Sequence, residues 1–327
     1  MSQINLRTPA DILAAAPCLV GFVPTNSLVI YMLARGAAGG IGVYCALRVD
    51  IDPDAEYMPA IPTDELRSHD VVAAIMLAIC DQRHDGHAHT LLDTWRERLQ
   101  NNGIRVVRRL HTRNVTEAGQ WLDVDTGDYG ATYPYTDSTL SAHAVLDGRQ
   151  IRRSRSDIAA DFAYLPPAPE VDVENSDYKA LALITAKEID DILISGTAIA
   201  SPTLPTRAGM VITGDPVARD AMIGLAVKNP RAAADLWTFI GRRLRGQHRA
   251  EALTLAAACL CLDSDTVRAG IAIEAALEEA DTTSTPRPKL ARLLEIVLRA
   301  GLNPATIRDT LIQSTAEHSG SGAPAAG

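Results

Sequence analysis

The run from Val71 to Cys80, VVAAIMLAIC, carries no polar side chain, and a segment that apolar has to be buried on both faces. Its alanines suit a helix, but it is short and an amphipathic helix follows closely, so it reads as a buried strand. In that following helix, His87 to Gln100, residues Leu91, Leu92, Trp95 and Leu99 share one face. Asn101-Asn102-Gly103 stops it where glycine tolerates the left-handed conformation. Ile104 to Leu110 reads as the next strand and Gln120 to Val124 as another. Upstream, Ser27 to Ala34 and Ile41 to Val49 form a hairpin across a glycine-rich turn at 36–40. A hairpin followed by strand, helix and strand predicts an α/β domain, a mixed sheet flanked by helices.

Ahead of the hairpin, Thr8 suits a helix cap, Pro9 the first helical position, and Asp11 an acidic variant of the capping box. Pro17 cannot continue that helix, Gly21 allows positive φ, and Pro24-Thr25-Asn26 reads as a turn. The order Thr-Pro-Ala-Asp-Ile-Leu, Pro17, Gly21-Phe22, Pro24 and Ser27-Leu28-Val29 resembles the opening of the actinobacterial family known as domain of unknown function 4192. The likeness continues through Arg48-Val49-Asp50, Gly119-Gln120-Trp121, Ser138 to Ala142 and Ser154-Arg155 to Leu298-Arg299-Ala300-Gly301-Leu302. The resemblance implies an architecture and an actinobacterial range, and it brings no activity or catalytic residue.

Signals thin from Asp125 to Pro169, with short helices expected at 138–146 and from Ser154 or Ser156 to Phe162. Leu165-Pro166-Pro167-Ala168-Pro169 reads as a linker. Beyond it the pattern is helical, with helices expected at 176–196, 216–227, 231–244, 248–262, 264–280, 287–299 and 304–315. Ala250 to Ala280 is similar to a tetratricopeptide helix pair. The expected organisation is therefore an α/β domain over 1–165, an all-α domain with tetratricopeptide-like character over 170–318, and a disordered tail over 319–327.

Composition narrows the function. The chain has 327 residues, 47% hydrophobic and 22% charged, with a net charge of −9 and only 4% aromatics. That balance argues against nucleic acid as a partner and leaves little material for base stacking. Five cysteines spread through apolar segments fit a reducing compartment. The N-terminal residues lack a signal-peptide pattern and no apolar run reaches membrane-spanning length, so a cytoplasmic location with no membrane partner is expected.

The main concentration of reactive side chains is Asp81, His84, Asp85, His87 and His89, between a predicted strand end and a helix start. In an α/β sheet that position is a ligand crevice, and imidazoles with carboxylates can hold a divalent metal. Arg105, Arg108 and Arg109 with Arg152, Arg153 and Arg155 are basic candidates for a phosphate-bearing ligand, although arginines so spaced also suit solvated faces. No Walker loop, zincin helix, serine-hydrolase elbow or paired Cys-x-x-Cys occurs. No cofactor is expected; a divalent metal at the histidine cluster is the alternative to reading it as a hydrophilic, histidine-rich loop. The sequence points first to a non-enzymatic partner-binding or regulatory module acting on an unidentified protein. The alternative is a metal- or phosphate-ligand-binding enzyme using the crevice near Asp81 and His84 to His89.

Overall fold

A computed structural model describes residues 6–36, 40–51, 63–146, 150–171, 178–196, 200–299 and 304–320. The chain divides into two compact units, Met1–Asp157 and Ile158–Gly327. Much of the turn expected at 36–40 and positions 321–327 of the expected tail lie outside the described residues.

The first unit opens with α1 (Pro9–Ala14). Thr8 Oγ1 accepts from the Asp11 N–H (3.1 Å) while Asp11 Oδ2 accepts from the Thr8 N–H (3.0 Å), the reciprocal cap that the sequence predicts. Pro17 does not end helical structure as expected. It sits in the first turn of α2 (Ala16–Val20), where its missing donor costs nothing, and Gly21 at φ 78° ends that helix instead.

Strands β1 (Ser27–Arg35) and β2 (Ile41–Asp50) form the hairpin, followed by α3 (Thr63–Ser68), β3 (Val71–Ile79), α4 (Asp85–Asn101), β4 (Arg105–Thr112), β5 (Gly119–Asp123) and β6 (Tyr129–Thr132). The sheet order is β2-β1-β3-β4-β5-β6, and among the described residues β3 with β4 is its only parallel pair. Strand β6 is not expected from the sequence: it is a four-residue strand in a glycine- and tyrosine-containing stretch with no alternating pattern, and Gly127 at φ 77° turns the chain into it. Helices α5 (Thr139–Leu146) and α6 (Arg155–Ala160) follow.

Both faces of β1 and β3 are covered. Leu28, Ile30 and Met32 with Ala74, Met76 and Ala78 meet Ala88, Leu92, Trp95 and Leu99 of α4, whose spacing of three or four residues keeps them on one stripe. On the opposite face Tyr31 is fully buried, and its hydroxyl donates to the Ile12 carbonyl of α1 at 3.1 Å.

The second unit holds α7 (Tyr178–Ser195), α8 (Leu204–Gly214), α9 (Pro216–Ala226), α10 (Pro230–Arg243), α11 (Gly246–Leu262), α12 (Thr266–Thr282), α13 (Lys289–Arg299) and α14 (Pro304–Gly320). Helix α11 is its centre: every residue from Ala252 to Leu262 is buried, and α8, α10 and α12 all pack on it. Helix α8 went unread because Pro205, Gly209 and three consecutive β-branched residues weaken its signal; Pro205 is tolerated in the first turn. Leu165 to Pro169 lies within this unit. The Leu165 and Ala168 N–H groups donate to the Arg242 and Arg243 carbonyls (2.8 and 3.0 Å), and Thr206 Oγ1 donates to the Pro169 carbonyl (2.6 Å). Positions 319 and 320 of the expected tail end α14. No helix among the described residues is long and apolar enough to cross a membrane.

Candidate functional site

Because β3 and β4 run parallel, their carboxyl ends lie side by side, and the Cys80 N–H donates to the Thr112 carbonyl at 3.1 Å. The chain then turns through a 3-10 turn, Gln82–His84, into α4. Asp81 caps the 3-10 turn: Oδ1 accepts from the Arg83 N–H at 2.9 Å and stands 2.8 Å from His84 Nδ1, while the Asp81 N–H donates to Asn26 Oδ1 at 3.1 Å. The contact with His84 holds the Asp81 carboxyl below its ordinary range.

A bulge decides which side chains face α4. Ala74 pairs with Val106, but the next residue, Ile75, pairs with Arg108, so Val107 has no partner on β3. Side chains alternate along a strand, so the extra residue puts Arg109 and His111, rather than Arg108 and Leu110, on the α4 side beside Ala78 and Cys80. Leu110 is buried on the far side instead.

Three donor atoms meet there. His111 Nε2 lies 3.5 Å from Cys80 Sγ and 3.4 Å from Asp85 Oδ1, and Cys80 Sγ lies 3.9 Å from Asp85 Oδ1. Cys80 is 1% exposed and His111 7%, while Asp85 opens the cluster toward solvent. Arg113 grips both Asp85 oxygens, with Nη2 to Oδ2 at 2.8 Å, and the ring of His89 meets that of His111 edge-on at 5.9 Å. The Arg113 hydrogen bond holds the Asp85 carboxyl below its ordinary range. Burial, reinforced by the Asp85 charge, pushes the Cys80 thiol up to about 11. Burial lowers the His111 imidazole and favours its neutral form.

This is not a nucleophile–base–acid relay. In such a triad the imidazole faces the nucleophile through one nitrogen and the carboxylate through the other, whereas here Nε2 faces both. A thiol raised by burial is also the opposite of an activated one.

Of the five residues singled out by sequence, Asp85 and His89 join this cluster. Asp81 and His84 pair with each other one turn away, and His87 makes no hydrogen bond among the described residues. Cys80, His111 and Arg113 were not foreseen as partners of the histidine-rich turn. Cys80 could have been found as the residue ending the apolar run, but His111 could not, because pairing and bulge are tertiary facts.

The basic candidates are dispersed. Arg109 is buried, with Nη1 2.6 Å from Asp93 Oδ1 and Nε 3.0 Å from Asp125 Oδ2; Arg108 lies 3.6 Å from Asp123, and Arg105 is exposed. The Arg152 N–H donates to the Gly21 carbonyl at 3.1 Å, Arg153 is exposed, and Arg155 opens α6.

No curated protein and no solved structure matches this chain. The family model described as "Domain of unknown function (DUF4192)" matches residues 9–305, and the chain belongs to that family.

Proposed function

We propose that this chain is a cytoplasmic, non-enzymatic regulatory module of an actinobacterial cell, whose α/β unit binds a small charged ligand at the carboxyl ends of β3 and β4. The observation that carries this reading is the convergence of Cys80, Asp85, His89, His111 and Arg113 in the crevice position of a parallel strand pair. The double use of His111 Nε2 and the raised thiol support binding over nucleophilic catalysis. All five cysteines are free, which supports a reducing compartment.

The test is thermal stability of the full chain against divalent metals, inorganic phosphate and nucleotides. A ligand bound only by the folded state adds about 2.7 kcal/mol at a hundredfold excess over its dissociation constant. A shift lost in an Asp85→Asn, Arg113→Gln double variant is the expected result. If no compound shifts the wild type, the reading fails.

Recognition of a protein partner is supported separately by α7, where Leu183, Ile184 and Ile194 are 72%, 60% and 70% exposed. A partner that co-purifies with the wild type and is lost from an Ile184→Asp, Ile194→Asp variant of unchanged stability is the outcome that reading requires.

A further inference from the structure

The crevice cluster has a geometry more specific than a group of polar side chains. Three different donor types, a thiol sulfur, an imidazole nitrogen and a carboxylate oxygen, come from three places in the chain: the end of β3, the first residue of α4 and β4. They surround one point and lie within 4.8 Å of one another. A tetrahedral zinc ion, with bonds of about 2.3 Å to sulfur, about 2.05 Å to nitrogen and about 2.1 Å to oxygen, requires ligand-to-ligand edges of about 3.6, 3.4 and 3.6 Å. The corresponding edges are 3.5 Å from sulfur to nitrogen, 3.4 Å from nitrogen to oxygen and 3.9 Å from sulfur to oxygen. As a hydrogen bond, 3.4 Å between Nε2 and a carboxylate oxygen is long, since N–H···O pairs close to about 2.7–3.2 Å. That nitrogen-to-oxygen edge fits a shared metal better than a direct hydrogen bond.

From this geometry we infer that Cys80 Sγ, Asp85 Oδ1 and His111 Nε2 are the protein ligands of a divalent transition metal of the zinc type, with the fourth position open on the solvent side. The inference rests on the reading of this crevice as the ligand site and names the ligand class. Magnesium and calcium prefer all-oxygen shells, so a thiol and an imidazole in the set select a softer ion. Cys80 enters as thiolate and its proton leaves to solvent, so thiolate and carboxylate together balance the charge of the dication. Arg113, which grips Oδ1 through Nη1 and Oδ2 through Nη2 at 2.8 Å, becomes the outer partner of Asp85, because each carboxylate oxygen has more than one lone pair to offer. Asp81, His84 and His87 are not ligands.

The test is a cobalt titration of the chelator-treated full chain. One equivalent of Co2+ should produce a near-ultraviolet thiolate-to-cobalt band with intense visible bands of a four-coordinate ion, and Zn2+ should displace both. Cys80→Ser should abolish the near-ultraviolet band. Asp85→Asn, a change at the solvent edge that leaves the core intact, should weaken binding about tenfold or more. His84→Ala with His87→Ala should leave the titration unchanged. Absence of a thiolate band in the wild type, or a band that survives Cys80→Ser, overturns the metal inference. If the band is absent and inorganic phosphate still stabilises the wild type but not Arg113→Gln, the crevice binds an anion and only the metal inference falls. If cobalt, inorganic phosphate and nucleotides all fail to bind, both fall.

Discussion

Gly241 on α10 packs against Leu253 of α11. A Cβ built there would lie 2.7 Å from Leu253 Cδ2 and 3.1 Å from its Cγ, and Leu253 is fully buried. Gly241→Ala should therefore destabilise the protein by about 1–3 kcal/mol through overpacking. Gly270, inside α12, meets nothing within 4 Å, so Gly270→Ala should stabilise by about 0.4–1 kcal/mol by restricting the unfolded chain. Opposite signs in denaturant unfolding check the pair, and equal effects would refute the packing argument. At this scale, local chemistry was legible. The Thr8 and Asp11 cap and the turn at Pro24 to Asn26 follow from residue type, and Asn26 takes the positive φ (43°) that asparagine tolerates. What Asn26 Oδ1 accepts, the N–H of distant Asp81, does not follow from residue type.

Among the elements, α4 was read almost to its ends because its apolar stripe and its glycine stop are both written locally. It is tied to β4 by Arg109, which holds Asp93 on the helix and Asp125 beyond β5. The Arg109 hydrogen bond keeps the Asp125 carboxyl below its ordinary value. Near the unfolded pKa, the folded state consequently binds fewer protons at this site than the unfolded state. The pair's contribution is present above an unfolded carboxyl pKa of about 3.9 and fades as pH falls through the lower folded value. Stability measured by urea unfolding should decline on that acid limb, and Arg109→Gln should flatten it. An unchanged limb would mean that Asp125 is not held this way. Strand β6 and helix α8 show where element reading ran out. A four-residue strand has too little length for period two to register, and a helix carrying proline, glycine and β-branched residues is stabilised by burial against α11 rather than by propensity.

For the whole chain, a net charge of −9 and arginines engaged by acids predict no general affinity for nucleic acid. Duplex DNA should not be retarded by the protein even at low salt, and a complex that weakens steeply with added salt would contradict this. The sequence alone determined the order and type of most elements, the succession of an α/β unit and an all-α unit, and membership of a family, because periodicity, caps and stops are local and survive without a partner strand. Tertiary structure alone decided the strand order, the parallel pairing of β3 with β4 and the unpaired Val107. That one extra residue turns His111 toward Cys80 and Asp85. A strand's two faces exchange with every one-residue shift, and nothing in the pattern of a single strand records which neighbour it has or where the register slips.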